Sequence, residues 1–270
     1  MDMYNLKQIP SEAQVEKYIR RIVFGSHVFC PMCRSRDVRR DHKRYRCRAC
    51  RGRFSLTSHT WLSNMKIPLQ QFWLVLWCWT TQIPVRQTMA LTQLSEKAVR
   101  HQFDEFRHHL PYKQAVLEAM VQLDEAYFGG RNGKALMMAK EVGTGKRKLA
   151  YVVLEDNKPV REHASWFLES YVVPASIVYT DGSSIYTKID KWWPVYHYRD
   201  IHKKFEFELT SEIEGTFGVL RTFIRRMYHH VSCDKLGEYV GEFCYRFCHP
   251  EIFNSPYQYL LFSLSIVTTR

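Results

Sequence analysis

Met120–Gly130 reads MVQLDEAYFGG, and how this stretch folds decides the architecture of the second half of the chain. Its run of aliphatic and aromatic residues, closed by paired glycines, predicts a strand over Met120–Phe128 that ends in a turn. Two further runs share the texture: Arg147–Leu154 (RKLAYVVL), stopped by Glu155, Asp156 and Asn157, and Ser176–Thr180 (SIVYT), stopped by Asp181 and Gly182. A helix over about Glu212–Met227 and a mostly helical, aromatic-rich tail follow. Strands and helices mixed in this way predict an α/β domain built on a sheet.

The acids in these strands do not serve packing, because burying a carboxylate costs free energy unless a cation compensates. Asp124 lies near the end of the first strand and Asp181 closes the third. Either one alone fits a turn or a cap; as a pair at the ends of adjacent strands they read as metal ligands. The segment Thr210–Phe217, TSEIEGTF, offers a third acid, Glu214, with Glu212 as the second choice. Arg221 lies two helical turns beyond Glu214 on the same face, which sets a phosphate-gripping cation beside a ligand. Three such carboxylates hold a pair of Mg2+ or Mn2+ ions about 3.5–4 Å apart, the arrangement that activates one oxygen and stabilises another in phosphodiester chemistry.

The front of the chain differs in charge. Residues 1–110 carry 19 Lys/Arg against 8 Asp/Glu, and residues 111–270 carry 20 against 19, so the front supplies nearly all of the net charge of +12. That asymmetry predicts that the front holds a polyanion. Four of the eight cysteines form Cys30-Pro-Met-Cys33 and Cys47-Arg-Ala-Cys50. Each C-x2-C turn presents two thiolates to one tetrahedral ion, so the two pairs predict a structural Zn2+ with no position left open for chemistry. Arg34, Arg36, Arg39, Arg40, Lys43, Arg44, Arg46, Arg48, Arg51 and Arg53 surround them. Fixed positive charge at this density suits DNA phosphates; the alternative is a solvated charged face. Cys244, Cys248 and His249 fit core packing better than a second metal site.

Ser11, with Gln14 as capping-box partner, predicts a helix over Glu12 to about Val23. An apolar helix runs from Pro68 through Trp79, a short one spans Val85–Leu91, and Ser95 caps a third that carries Lys97, Arg100, His101 and Arg107 on its wetter faces. The pattern is that of a helix-turn-helix. No stretch is apolar for the roughly 18 residues a membrane span needs, and the start, MDMYNLKQIP, lacks a signal-peptide pattern. The expectation is a cytoplasmic protein, in the bacterial cytoplasm or nucleoid, with no membrane partner.

Together, several stretches resemble one family, the insertion-sequence transposases of the ISXO-like group, relatives of the Merlin elements. They are RYRCRAC (44–50) with FS (54–55), MKIPLQQFW (65–73), LDEAYFGG (123–130), YTDGSSIY (179–186), HKKFEF (202–207), TSEIEG (210–215) and YHHVS (228–232). The resemblance covers the chain from Cys30 to about Phe247. It implies an α/β, RNase H-like mixed-sheet catalytic domain over 113–270. This follows an N-terminal helical segment (1–25), a zinc ribbon (26–60) and a helix-turn-helix region (61–112). It also implies cleavage of double-stranded DNA at the element's terminal inverted repeats and joining of the freed 3'-hydroxyl to target DNA, by a homodimer or larger assembly. Asp124 and Asp181 map onto the first two catalytic acids and Glu214 onto the acid of the final helix. Ser211 stands where many members have Asn, and Arg221 where many have Lys. His202, Lys203 and Lys204 precede the final acid as in the family, and join Arg39, Arg40, Lys43, Arg44, Arg46, Lys97 and Arg100 as candidate DNA contacts. A DNA-binding regulator without catalysis, or a nuclease that cuts without joining, would carry the same residues.

Overall fold

The computed structural model describes residues 9–111, 113–130, 133–199 and 210–267. The chain forms two compact units: one takes the residues up to Pro111 together with those from Glu251 onward, the other spans Tyr112–Pro250.

In the first unit, α1 (Glu12–Phe24) opens with the predicted capping box between Ser11 and Gln14 and buries Val15, Ile19, Val23 and Phe24. Phe24 packs edge-on against Phe29 and Tyr45, which ties α1 to an antiparallel sheet of β1 (Val38–Asp41), β2 (Arg44–Cys47) and β3 (Arg53–Phe54). The first residue ahead of α2 (Leu69–Thr80) is Pro68, which has no side-chain cap to offer. Glu12 fills the role, accepting the amides of Leu69 and Gln70 at 3.0 and 2.7 Å, where a carboxylate meets the positive end of the helix dipole. After α3 (Val85–Thr92) the chain reverses through Gln93 in the left-handed region, and Ser95 caps α4 (Glu96–His108) by accepting the amide of Ala98. Arg107 departs from its expected wet position: it is buried and paired with Asp104 at 2.7 Å.

The final helix, α8 (Pro256–Val267), belongs to this unit as well. The Tyr259 ring lies 5.1 Å from that of Trp79 and its hydroxyl donates to the Phe106 carbonyl at 2.8 Å. Trp61, Phe72 and Phe106 complete an aromatic core. A catalytic domain reaching to residue 270 therefore differs from the observed division, in which the last helix leaves the sheet-containing unit because its aromatic partners sit on α2 and α4.

The second unit is a five-stranded mixed sheet in the order β6-β5-β4-β7-β8. Its strands are β4 (Met120–Phe128), β5 (Lys134–Val142), β6 (Leu149–Val153), β7 (Ile177–Thr180) and β8 (Tyr196–Arg199). The first three form an antiparallel meander; β7 and β8 add in parallel with β4. The β4–β5 turn needs its glycines: Gly129 has φ +84°, and a Cβ there would lie 2.2 Å from Cys233 Sγ. One face of the sheet, through Val121, Leu123 and Val178, packs on α5 (Arg161–Tyr171) around Phe167 and Leu168. The other face receives α6 (Ser211–Tyr228), whose Ile213 amide donates to Gln122 Oε1 at 2.9 Å. Next to it, α7 (Leu236–Cys248) packs against β6.

A buried network joins these two helices. Glu242, fully enclosed, accepts from Tyr228 Oη at 2.6 Å and from Arg246 Nε at 2.9 Å. Removing the acid takes a buried carboxylate partner from both the Tyr228 hydroxyl and the Arg246 guanidinium, which costs about 3–5 kcal/mol. Glu242→Ala is therefore expected to lower the unfolding free energy of this unit by about that much, read by urea denaturation; a change below about 1 kcal/mol would mean that the network is not cooperative.

No helix among the described residues is long and apolar enough to cross a membrane.

Candidate metal centres and nucleic-acid surface

The parallel register between β4 and β7 builds the first site. Val121 pairs with Val178 and Gln122 with Tyr179. Continuing this register by one more pleat brings Asp181, just past β7, level with Asp124 on β4. Asp124, Glu125 and Asp181 each offer an oxygen, and these oxygens all lie within 4.8 Å of one another. Asp124 Oδ1 accepts the Glu125 amide at 2.8 Å, Asp181 Oδ1 accepts the Ser183 amide at 2.9 Å, and Glu125 Oε2 accepts Tyr186 Oη at 2.5 Å. Burial, reinforced by the Asp181 and Asp124 charges, pushes the Glu125 carboxyl up to about 7 against the opposing Tyr186 hydrogen bond. Tyr186 itself is buried and held well above the usual phenol range, first by burial and then by Glu125. Three carboxylates in mutual repulsion make a site that gains from a hard divalent cation, and an all-oxygen donor set is the one Mg2+ or Mn2+ takes.

Two of the three acids are those expected from the sequence, and the third is not. Glu214 lies in the first turn of α6, outside this cluster, where its Oε1 accepts Thr210 Oγ1 at 3.0 Å. Glu212 is paired with Lys140 at 2.7 Å. Arg221 places its guanidinium 5.6 Å from the Phe128 ring centre, over the end of β4. Glu125 was hidden because strand alternation points it away from Asp124, so the pattern gives no sign that their carboxylate oxygens meet. The one clue in the sequence was its adjacency to Asp124.

Parallel to β7, β8 puts His197 beside Thr180, whose hydroxyl lies 2.9 Å from Nε2. Burial, with help from Arg199, lowers the imidazole to about 4 against the pull of Asp190. A histidine neutral in the fold but protonated below pH 6.5 in the unfolded chain makes stability fall as pH drops from about 6.5 to about 4. His197→Gln is expected to flatten that part of a urea-unfolding profile by about 2–3 kcal/mol; identical slopes in the two proteins would refute it.

The second centre is the cysteine cluster. Cys30, Cys33, Cys47 and Cys50 place their sulfurs within 4.8 Å of one another, with Cys30–Cys50 and Cys33–Cys47 both at 3.6 Å. A disulfide would need about 2.05 Å, whereas a tetrahedron with Zn–S bonds near 2.3 Å has S–S edges of about 3.8 Å. The two knuckles repeat each other: the Cys30 amide donates to Ser35 O and the Cys47 amide to Gly52 O, both at 2.9 Å. Arg34 and Arg51, each one residue past a knuckle, both take φ near +60°. The Cys50 amide leads in drawing the Cys47 thiol down to about 7, toward the thiolate a metal requires. The residues fit Zn2+. Cys244 is buried and its thiol pushed well up by burial; among the described residues it forms no ligand cluster with Cys248 and His249.

Register across the ribbon sheet sorts its charges. Arg39 pairs with Arg46 and Arg46 with Arg53, while Tyr45 pairs with Phe54 behind them. One face is thus aromatic and packed on Phe24, and the other carries a row of three arginines with Arg44 on the same side. Like charges placed directly opposite repel, so the row costs stability in the free protein. Asp41 relieves Arg53 at 3.7 Å. Arg40 lies on the aromatic side and reaches Glu16 at 3.1 Å, and Lys43 is exposed in the β1–β2 turn. On α4, Lys97 and His101 are exposed, and Arg100 is held by Glu96 at 2.7 Å. His202, Lys203 and Lys204 lie outside the described residues.

Comparison with known proteins matches residues 116–248 to the ISXO2-like transposase domain and residues 10–53 to the transposase zinc-ribbon domain. A relative from Halobacterium salinarum, described as an uncharacterized protein in transposable element ISH50, is 25% identical over 216 residues, covering 70% of this chain and 74% of the relative.

Proposed function

We infer that this chain, a member of the insertion-sequence transposases with their zinc ribbon and ISXO2-like domain, binds the ends of its element and catalyses cleavage and strand transfer. The observation that carries the reading is the convergence of Asp124 and Glu125, where β4 runs on past its pairing with β7, with Asp181 just beyond the end of β7. Mg2+ or Mn2+ bound there would supply the polarisation of phosphate and nucleophile that phosphodiester chemistry needs. Asp124 and Asp181 hold the cations, and Glu125 is the third oxygen donor, kept in place by Tyr186. Glu214 is the acid that α6 adds, because its helix begins against Gln122 on the Asp124 face of the sheet. Arg221, at the far end of β4, grips a phosphate of the bound strand with its fork of donors.

On this reading the front unit holds duplex DNA. Zn2+ on the four cysteines fixes the ribbon, and Arg39, Arg44 and Arg46 meet phosphates, which removes the repulsion along their row. Lys97, Arg100 and His101 lie on the second helix of the helix-turn-helix, the element that enters the major groove in such motifs. Arg40 serves the ribbon through Glu16, and Lys43 is a further phosphate contact. His202, Lys203 and Lys204 are further candidate phosphate contacts. Joining two element ends requires at least two copies of the chain.

The test is incubation of the purified protein with DNA carrying the element's terminal repeats and Mg2+ or Mn2+, with products resolved by strand. Nicked ends and joined product are expected. Binding without nicking would leave a regulator, and nicking without joining a nuclease.

A further inference from the structure

Among the described residues, the sheet face that carries Asp124 is only partly covered. Gln122 on β4 receives the first turn of α6, and α6 packs on β4 and β5. The same row continues outward through Tyr179 on β7 to Tyr198 on the edge strand β8, and the next row back runs from Met120 through Ile177 to Tyr196. The rings of Tyr179 and Tyr198 lie 5.8 Å apart at 35°, so both stand on this face. Tyr196 is 62% exposed and Tyr198 53%. An aromatic strip therefore extends from the acidic cluster to the open edge of the sheet.

Strand geometry sets its distance from the chemistry. Tyr198 is one strand and two residues from Asp181, about 8 Å, and two strands from Asp124, about 12 Å. Stacked nucleotides advance about 3.4 Å each along one strand, so a phosphate at the acids puts bases two to four nucleotides away above these rings.

We propose that Tyr179, Tyr196 and Tyr198 form a stacking surface for unpaired bases of the DNA strand whose phosphate is held at Asp124 and Asp181. The proposal rests on the reading of that cluster as a DNA-processing site. Bases that fray beside a cut phosphate lose their partners, and a surface that takes them up holds the strand in place. Flat aromatic rings accept any base, since every base has a π-face, and a tyrosine edge tolerates water when no DNA is bound. The other edge of the sheet offers no such strip, because β6 lies under α7.

The experiment measures binding of the full chain to a fluorescent dT20 single strand and to a 20-base-pair duplex, in Ca2+ so that nothing is cut. Tyr196→Ala with Tyr198→Ala is expected to weaken dT20 binding by about tenfold per lost base contact while duplex affinity stays within about twofold. The corresponding Phe pair should retain wild-type affinity for both. Unchanged dT20 binding, an equal loss on both probes, or Phe behaving as Ala would each overturn the proposal. So would a change of oligomeric state by sedimentation with DNA affinity intact, which would make the strip a contact between copies of this chain. Because the readout is binding, it is separate from the cleavage assay: inactive protein with a tyrosine-dependent dT20 preference would overturn the catalytic reading and leave the stacking surface standing.

Discussion

Asp124→Asn and Asp181→Asn are each expected to reduce strand cleavage by about a thousandfold or more while duplex affinity changes by less than about twofold. Each carboxylate touches a position where a cation would sit, and a loss of about 4 kcal/mol in transition-state stabilisation corresponds to that factor. The same substitutions remove a negative charge that faces the other acids of the cluster, so the metal-free protein should melt no lower than wild type. What should vanish is the upward shift in melting temperature on adding Mg2+, because a ligand stabilises only the fold that binds it. Full cleavage by either variant, or an Mg2+ shift that survives in both, would disprove the site. Glu125→Gln and Glu214→Gln divide the third position: the one that loses the Mg2+ shift together with cleavage supplies a ligand.

Cys47→Ser is expected to have the other large effect, confined to the front unit. Cys47 is buried in β2, where its sulfur would ligate the metal and its own amide closes the second knuckle. Structural zinc contributes about 10–16 kcal/mol of binding free energy that is spent on folding, and two strands of four residues cannot replace it by burial. The expected result is loss of bound zinc, loss of ribbon protection in amide exchange and a collapse of duplex binding, with the exchange pattern of β4–β8 unchanged. Retention of one zinc per chain by the variant, or a wild-type ribbon without metal, would refute it.

Much of this architecture was legible because local chemistry and tertiary demand agreed. Met120–Phe128 is the strand its apolar run and glycine pair predict, and Ser11 and Ser95 cap the helices they were expected to open. Other elements were hidden for identifiable reasons. The β5 sequence, KALMMAKEV, is rich in helix formers and shows no alternation, since a central strand is buried on both faces. At four residues, β8 is too short for a period to show, and it stands on an edge. The helix α5 has no start signal in the sequence, because its cap position is Val160, which has no polar side chain. At the site, Asp124 and Asp181 stood out as acids at strand ends, whereas the role of Glu125 depends on where Tyr186 comes to rest, 61 residues away. The arginine row was visible as a charge cluster, but only pairing across β1, β2 and β3 separates Arg40 from Arg39 and Arg46.

The place of α8 bears on how the molecule is made. The sheet-containing unit is one continuous segment, so a nascent chain can close it as soon as residue 250 clears the ribosome. The first unit has Trp61, Phe72, Trp79 and Phe106 early but lacks Tyr259, which packs among them, until translation has passed through the whole sheet-containing segment. A message broken or frameshifted inside that segment yields a front half short of the helix that carries Tyr259.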